Sequence, residues 1–207
     1  MNDKINQYNF IAGMDEAGAG PLCGDLFVAA VILNPEDPIP GLADSKKLTD
    51  RRRQALAGLI YEKALSWSVI QVCPEEIDRI NILQARMRGF ERAAAALDMT
   101  PTQILIDGNR IPPGLASGPI PVSSIIKGDA SEPSISAASI LAKVKRDESM
   151  AQAALTWPGY GFEQHKGYPT RLHVQKLMEL GPCPIHRRSY KPVIQAIEAM
   201  KSQGKLD

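Results

Sequence analysis

The sequence predicts an α/β protein built on a mixed five-stranded sheet flanked by helices. Five short apolar runs, at 10–15, 27–33, 66–72, 103–107 and 121–126, have the length and composition of strands. Between the later runs lie segments with apolar residues at helical spacing. From Ser134 onward the chain reads as helix and turn only.

Phe10 to Asp15 is the first expected strand, ending at the acid pair Asp15-Glu16. Phe27 to Leu33 is the second, apolar on both faces and therefore central. Asn34-Pro35-Glu36-Asp37-Pro38 breaks it, and Gly41 to Leu48 is a polar loop. Thr49 is placed to cap a helix that shows Leu56, Leu59, Ile60 and Lys63 on one side. Ser66 to Val72 alternates as a third strand. Pro74 opens a short helix, and Asn81 caps a longer one carrying Leu83, Met87, Phe90, Ala94 and Leu97. Gln103 to Asp107 and Pro121 to Ile126 are the last two strands. The helix from Ser134 to about Leu155 has the small run Ala137-Ala138-Ser139, suited to close packing on a sheet. Helices at Thr170–Leu180, stopped by Gly181, and at Pro192–Lys201 follow.

With 207 residues, 44% hydrophobic and 23% charged, the chain is large enough to bury a core. Its formal charge of +1 neither demands nor excludes nucleic acid, so local charge must decide. No apolar run has the length of a membrane span, and Met1-Asn2-Asp3-Lys4 lacks the apolar core of a signal peptide. Cys23, Cys73 and Cys183 are far apart with no C-x-x-C. Neither a disulfide framework nor a cysteine zinc site is expected, and a reducing cytoplasm is.

Three strands end in acid: Asp15-Glu16, Asp107 and Asp129. If those ends are neighbours in one sheet, four carboxylates converge and repel unless cations neutralise them. An oxygen-only set without Cys or His suits Mg²⁺ or Mn²⁺. Two such ions about 4 Å apart activate a water and stabilise a leaving oxygen in phosphodiester hydrolysis. Neighbours on a regular strand point to opposite faces, so Asp15 and Glu16 share a site only if the strand bends or ends between them. Gly18 and Gly20 allow that and leave the backbone bare to a ligand. Taken singly the acids have structural readings too, since Asp107-Gly108-Asn109 is a turn signal and Asp129 a turn or helix-capping acid.

Basic residues lie at Lys46, Lys47 and Lys127. A denser segment carries His165, Lys166, Arg171, His173, Lys176, His186, Arg187, Arg188 and Lys191. Its charge spans loops as well as a helix, which favours a polyanion over a merely solvated face. The three histidines lack metal-ligand spacing and read as surface or phosphate-neighbouring groups. Tyr168, in a Gly-Tyr-Pro turn, is either a ring for stacking on a sugar or base, or a half-packed core tyrosine.

The motifs together resemble ribonuclease HII, the bacterial type 2 ribonuclease H, from about Ile11 to Val193. The segments that carry the resemblance are Met14-Asp15-Glu16-Ala17-Gly18, the loop from Leu42 to Leu48, Ile106-Asp107-Gly108-Asn109, Lys127-Gly128-Asp129, the run from Ile135 to Val144 with Arg146-Asp147, the turn from His165 to Thr170, and His186-Arg187-Arg188-Ser189. The resemblance implies a ribonuclease H-like fold, with residues 1–155 as catalytic domain and 156–207 as a helical extension that helps bind substrate. It implies a monomer that hydrolyses RNA in RNA–DNA hybrids and incises duplex DNA 5′ to embedded ribonucleotides, as in ribonucleotide excision repair, leaving 3′-hydroxyl and 5′-phosphate ends. By the same resemblance, Asp15, Glu16, Asp107 and Asp129 are the metal-binding catalytic set. Tyr168 stacks on the deoxyribose after the ribonucleotide, the backbone of Gly18-Ala19-Gly20 reads the 2′-hydroxyl, and Lys46 and Lys47 contact phosphates.

The chain departs from the family pattern in two places. Gly18-Ala19-Gly20 stands where Gly-Arg-Gly is usual, and Asp25 where proline is usual. A hydrogen bond to a charged group is worth about 1.5–3 kcal/mol, so losing the guanidinium weakens substrate positioning. Asp25 adds an acid expected to disturb phosphate binding. The competing reading is therefore a catalytically weakened hybrid-binding protein.

Overall fold

The computed structural model describes residues 9–42 and 48–205. They fall into two compact units. The first takes the chain up to residue 17, then 27–70 and 86–144; the second takes 18–26, 71–85 and 145 onward. The chain passes from the first unit to the second near 145, inside a helix, and two earlier stretches belong to the second unit.

The first unit is built on a sheet of β1 (Ile11–Ala17), β2 (Leu26–Ile32), β3 (Ser66–Val72), β4 (Gln103–Asp107) and β5 (Val122–Ile125) in the order β3-β2-β1-β4-β5. β1 is antiparallel to β2 and parallel to β4, and β4 is parallel to β5. The sheet is therefore mixed, as expected. Every residue of β2 is buried, in line with its two apolar faces.

Helices α1 (Asp50–Lys63), α2 (Pro74–Ala95), α3 (Pro113–Ala116), α4 (Gly128–Ser131) and α5 (Pro133–Thr156) complete the elements up to residue 156. The Thr49 hydroxyl accepts from the Arg52 N–H at 3.3 Å, the expected cap of α1. The two helices expected at 74 and 81 run on as α2 across a kink at Asn81 (φ 65°), whose side chain accepts from the Gln84 N–H. Small residues let α5 lie against the strands. Ala137, Ala138 and Ala142 pack in one cluster with Phe27, Ala29, Val31, Leu56 and Ile60. A Cβ on Gly13 of β1 would sit 2.0 Å from the Ser134 carbonyl carbon, so here backbone lies on backbone. Fully burying Leu56 or Ile60 contributes about 1.5–3 kcal/mol each.

The second unit holds α6 (Phe162–His165), α7 (Arg171–Leu180) and α8 (Lys191–Ser202). Thr170 caps α7 through the His173 N–H, and Gly181 (φ 77°) ends it. One apolar cluster gathers Cys23, Met150, Tyr160, Phe162 and Cys183; another gathers Leu22, Leu177, Val193 and Ala196. All three cysteines are free thiols. Among the described residues no helix is long and apolar enough to cross a membrane.

Candidate active site

The parallel ladder between β1 and β4 runs to the pair Met14–Ile106, and that between β4 and β5 to Asp107–Ile125. Asp15 thus follows Met14 just past the end of one ladder, while Asp107 closes β4. Asp129 sits in the first turn of α4, four residues past β5, and its N–H donates to Asp107 Oδ1 at 3.4 Å. The three acid-bearing segments are neighbours at one edge of the sheet, as the sequence suggested.

The pair Asp15-Glu16 meets that edge differently from expectation. β1 does not end at Asp15. On its other side the antiparallel ladder continues through Asp15–Ala29, Glu16–Val28 and Ala17–Phe27. Strand alternation is kept: the Ser139 hydroxyl of α5 donates to the Asp15 carboxylate, whereas Glu16 turns to Arg86 of α2, Oε1 to Nη2 at 2.8 Å. Asp107 acts on both, its negative charge raising the pKa of each. A shared neighbour, rather than a break in the strand, links the pair.

The electrostatics of this edge are unfavourable without a counter-ion. Burial, then the charge of Glu16, pushes the Asp15 carboxyl well above its ordinary value, although Ser139 and the Glu16 N–H pull the other way. Burial also raises Glu16 against the opposing pull of Arg86. Glu16 Oε2 is buried with no hydrogen-bond partner. Surplus negative charge, oxygen donors only and an orphaned carboxylate oxygen fit a hard divalent cation. No three of these carboxylates bring one oxygen each within 4.8 Å of one another among the described residues.

In the second unit, Gly18 to Gly24 forms a loop whose oxygens converge on one side chain. Arg187, fully buried, donates Nη2 to the Gly18 carbonyl at 2.6 Å and to Gly24 at 2.8 Å. Its Nε also reaches Gly24, and its Nη1 reaches Ala19 at 3.1 Å, Pro21 at 2.9 Å and the Tyr190 hydroxyl at 3.0 Å. Gly18 has φ +101°, and a Cβ there would lie 2.8 Å from the Asp25 carbonyl oxygen, so glycine is required. Gly20 is open; its nearest neighbour in that direction is Tyr168 Cε1 at 3.7 Å. Tyr168 itself is 47% exposed, so it is a presented ring and not a core tyrosine. Lys46 and Lys47 lie outside the described residues.

The basic segment is not the exposed polyanion face it suggested. His165, His173, His186 and Arg187 are buried, and their ring nitrogens and guanidinium find hydrogen-bond partners inside the second unit. The Cys183 N–H donates to His186 Nδ1, which places the His186 hydrogen on Nε2, facing His173 Nε2 at 3.1 Å. His173 Nδ1–H is then left to donate to the Tyr168 carbonyl at 3.0 Å. Burial lowers both rings to about 4, so they are neutral. Cys23 Sγ lies within 4.8 Å of one nitrogen of each of these two rings. The relay uses both lone pairs that a metal would need, and burial pushes the Cys23 thiol up to about 12, so the trio reads as a hydrogen-bonded core rather than a zinc centre. Arg171, Arg188 and Lys191 remain exposed.

Asp25 also differs from expectation. Its carboxylate accepts from Gln71 Nε2 at 2.8 Å and Ser149 Oγ at 3.4 Å, and it is drawn electrostatically to the buried Arg146 and Arg187. It is a counter-charge within the second unit, not a free acid turned on phosphate. Arg146 donates to the carbonyls of Cys23 and Lys166. Sequence reasoning did not single out Arg86, and it had Ser139, Arg146 and Arg187 only inside longer segments, without these roles. For Arg187 the available signal was its place in the His-Arg-Arg-Ser motif.

The sequence pattern of the family described as ribonuclease HII matches residues 12–193. The chain belongs to the ribonuclease HII family. It is 56% identical over 190 residues to the ribonuclease HII of Maricaulis maris (strain MCS10), covering 91% of this chain and 85% of that one. The ribonuclease H2 from Pyrococcus horikoshii OT3 superposes with a TM-score of 0.80 at 26% identity, over 92% of this chain and 98% of that one. The RNase HII solved in a complex with PCNA from Archaeoglobus fulgidus gives 0.76 at 28% identity, over 90% and 96%. As a ribonuclease HII, the chain is a ribonuclease H: an endonuclease and hydrolase that acts on RNA–DNA substrates.

Proposed function

We propose that this ribonuclease H hydrolyses the RNA of RNA–DNA hybrids and incises duplex DNA 5′ to embedded ribonucleotides, giving 3′-hydroxyl and 5′-phosphate ends. The observation that carries the reading is the sheet edge bearing Asp15, Glu16, Asp107 and Asp129, where burial and neighbouring negative charge raise the Asp15 and Glu16 carboxyls and Glu16 Oε2 is buried without a partner. These four would hold Mg²⁺ or Mn²⁺, two ions per site, and would be the catalytic residues. Bound there, divalent cations supply charge neutralisation and an activated water for phosphodiester hydrolysis. The protein's own part is to fix the acids: Ser139 and the Glu16 N–H orient Asp15, Arg86 orients Glu16, and the Asp129 N–H orients Asp107.

Gly18, Ala19 and Gly20 would read the 2′-hydroxyl through their backbone, and Tyr168 would stack on the adjacent deoxyribose. The closeness of Gly20 to the Tyr168 ring supports assigning both to one sugar–backbone stretch. The segment from 156 onward would contribute to substrate binding, and Lys46 and Lys47 would contact phosphates. The protein would act as a cytoplasmic monomer.

The test is cleavage of a duplex carrying one ribonucleotide, with Mg²⁺ or Mn²⁺. Incision 5′ to the ribonucleotide, lost in Asp107→Asn, is expected; no incision, or an Asp107→Asn variant that cuts like its parent, sinks the reading. Ala19 favours a second reading, in which hybrid binding is kept and cleavage is weak. That reading requires Ala19→Arg to raise cleavage markedly, and an unchanged rate removes it.

A further inference from the structure

The loop at 18–24 is shaped by a residue far along the chain. Arg187 spends its whole guanidinium on it: five donor contacts to the carbonyls of Gly18, Ala19, Pro21 and Gly24, and one to the Tyr190 hydroxyl. The Tyr190 hydroxyl in turn donates to the Ala19 carbonyl at 3.0 Å. Ala19's carbonyl thus accepts two hydrogen bonds, one for each lone pair.

Peptide geometry gives this a direction. In a trans peptide the N–H points opposite to the C=O of the preceding residue, and the chain has no cis bonds among the described residues. With the Gly18 and Ala19 carbonyls drawn onto a fully buried guanidinium, the N–H groups of Ala19 and Gly20 face away from it. Neither N–H has a hydrogen-bond partner among the described residues. Gly20 is exposed and lies beside the presented ring of Tyr168. The outer face of the loop is a pair of backbone donors, and its acceptors are turned inward and occupied.

We propose that Arg187, helped by Tyr190, is the positioning residue for ribose discrimination: by holding the loop's carbonyls inward it sets the Ala19 and Gly20 N–H groups to donate to the 2′-oxygen of a ribonucleotide. The proposal rests on the reading of this loop as the ribose reader. Arg187 touches no substrate; it acts through the backbone. A lysine cannot replace it, because one ammonium with three donors cannot span acceptors on four residues in fixed directions.

The experiment measures, in EDTA, the affinities of the full-length parent, Arg187→Lys and Tyr190→Phe for a duplex with one ribonucleotide and for its all-deoxy counterpart. The parent should prefer the ribonucleotide. In Arg187→Lys that preference should fall by about tenfold or more, and in Tyr190→Phe by about threefold, the scale of lost charged and neutral hydrogen bonds, with all-deoxy affinity held within about twofold. A purely structural role would lower melting temperature and both affinities together and leave the ratio alone, and that outcome overturns the proposal. If Arg187→Lys does not fold, an unchanged ratio in Tyr190→Phe overturns it. A parent with no preference refutes the ribose-reading loop itself, whereas a preference kept by both variants refutes only the role of Arg187.

Discussion

Asp15→Asn is expected to make the metal-free protein more stable and to leave it unable to cut. Asp15 is 6% exposed, and burial together with the charges of Glu16 and Asp107 raises its carboxyl well above the ordinary 3.8. Two donors, the Ser139 hydroxyl and the Glu16 N–H at 2.7 Å, offset part of that cost. Asparagine keeps an oxygen for the Glu16 N–H and turns amide hydrogens toward acids that now face another acid. Removing an incompletely matched buried charge is worth roughly 1–3 kcal/mol, and each kcal/mol moves the melting temperature by about 2–4 °C in a chain of this size. The sign with pH follows from the raised value. The protonated form is the favoured one in the fold, so this stability is complete below 3.8 and is lost as pH rises through the folded value. The gap between variant and parent should therefore be wide at pH 7.5 and close toward pH 4. Thermal unfolding in EDTA across that range reads it, and Mn²⁺ should raise the parent's midpoint more than the variant's. A variant less stable than the parent at pH 7.5 in EDTA would refute the account of this edge as a surplus of negative charge.

Three other perturbations probe separate features. Gly13→Ala should cost about 3 kcal/mol or more in urea unfolding, since its Cβ would meet Ser134 and Ile135 backbone at 2.0 and 2.2 Å, whereas Gly20→Ala should stay within about 1 kcal/mol of the parent. Below about 6.5 the unfolded chain takes up protons that His173 and His186, held near 4, refuse, so stability present at neutral pH is lost as pH falls toward 4. Urea midpoints between pH 7 and 5 should fall more steeply for the parent than for His173→Gln. Tyr168→Ala should leave the urea midpoint unchanged, because the ring is half exposed, and should raise KM for the ribonucleotide duplex by about 5- to 100-fold, the value of a lost stacking ring.

Much of the fold was legible because its signals are local. Two apolar faces identify β2 as central, Thr49 and Asn81 act as caps through their own side chains, and Gly181 ends α7. The acids were legible as a set, since each follows an apolar run. The end of β1 was not, because a strand with two neighbours can end on one side and continue on the other; Met14 closes the ladder to β4 while Ala17 still pairs with Phe27. Arg187 and the three histidines, expected as polyanion-binding, surface or phosphate-neighbouring groups, are buried, and this was hidden for a different reason. Their partners are mostly backbone carbonyls and N–H groups, which every residue carries and which leave no pattern of complementary side chains in the sequence. Asp25 was likewise readable as an acid, but its neighbours Gln71 and Ser149 are distant in sequence.

The same feature explains how a departure from the family pattern is tolerated. Arg187 and Tyr190 grip position 19 by its carbonyl oxygen alone. The shape of the loop is consequently indifferent to which side chain grows from that residue. Any side chain at position 19 leaves these carbonyl hydrogen bonds in place. Position 187 has no such freedom, because several distant peptides depend on a single guanidinium. Evolutionary latitude at one end of this contact is bought with rigidity at the other.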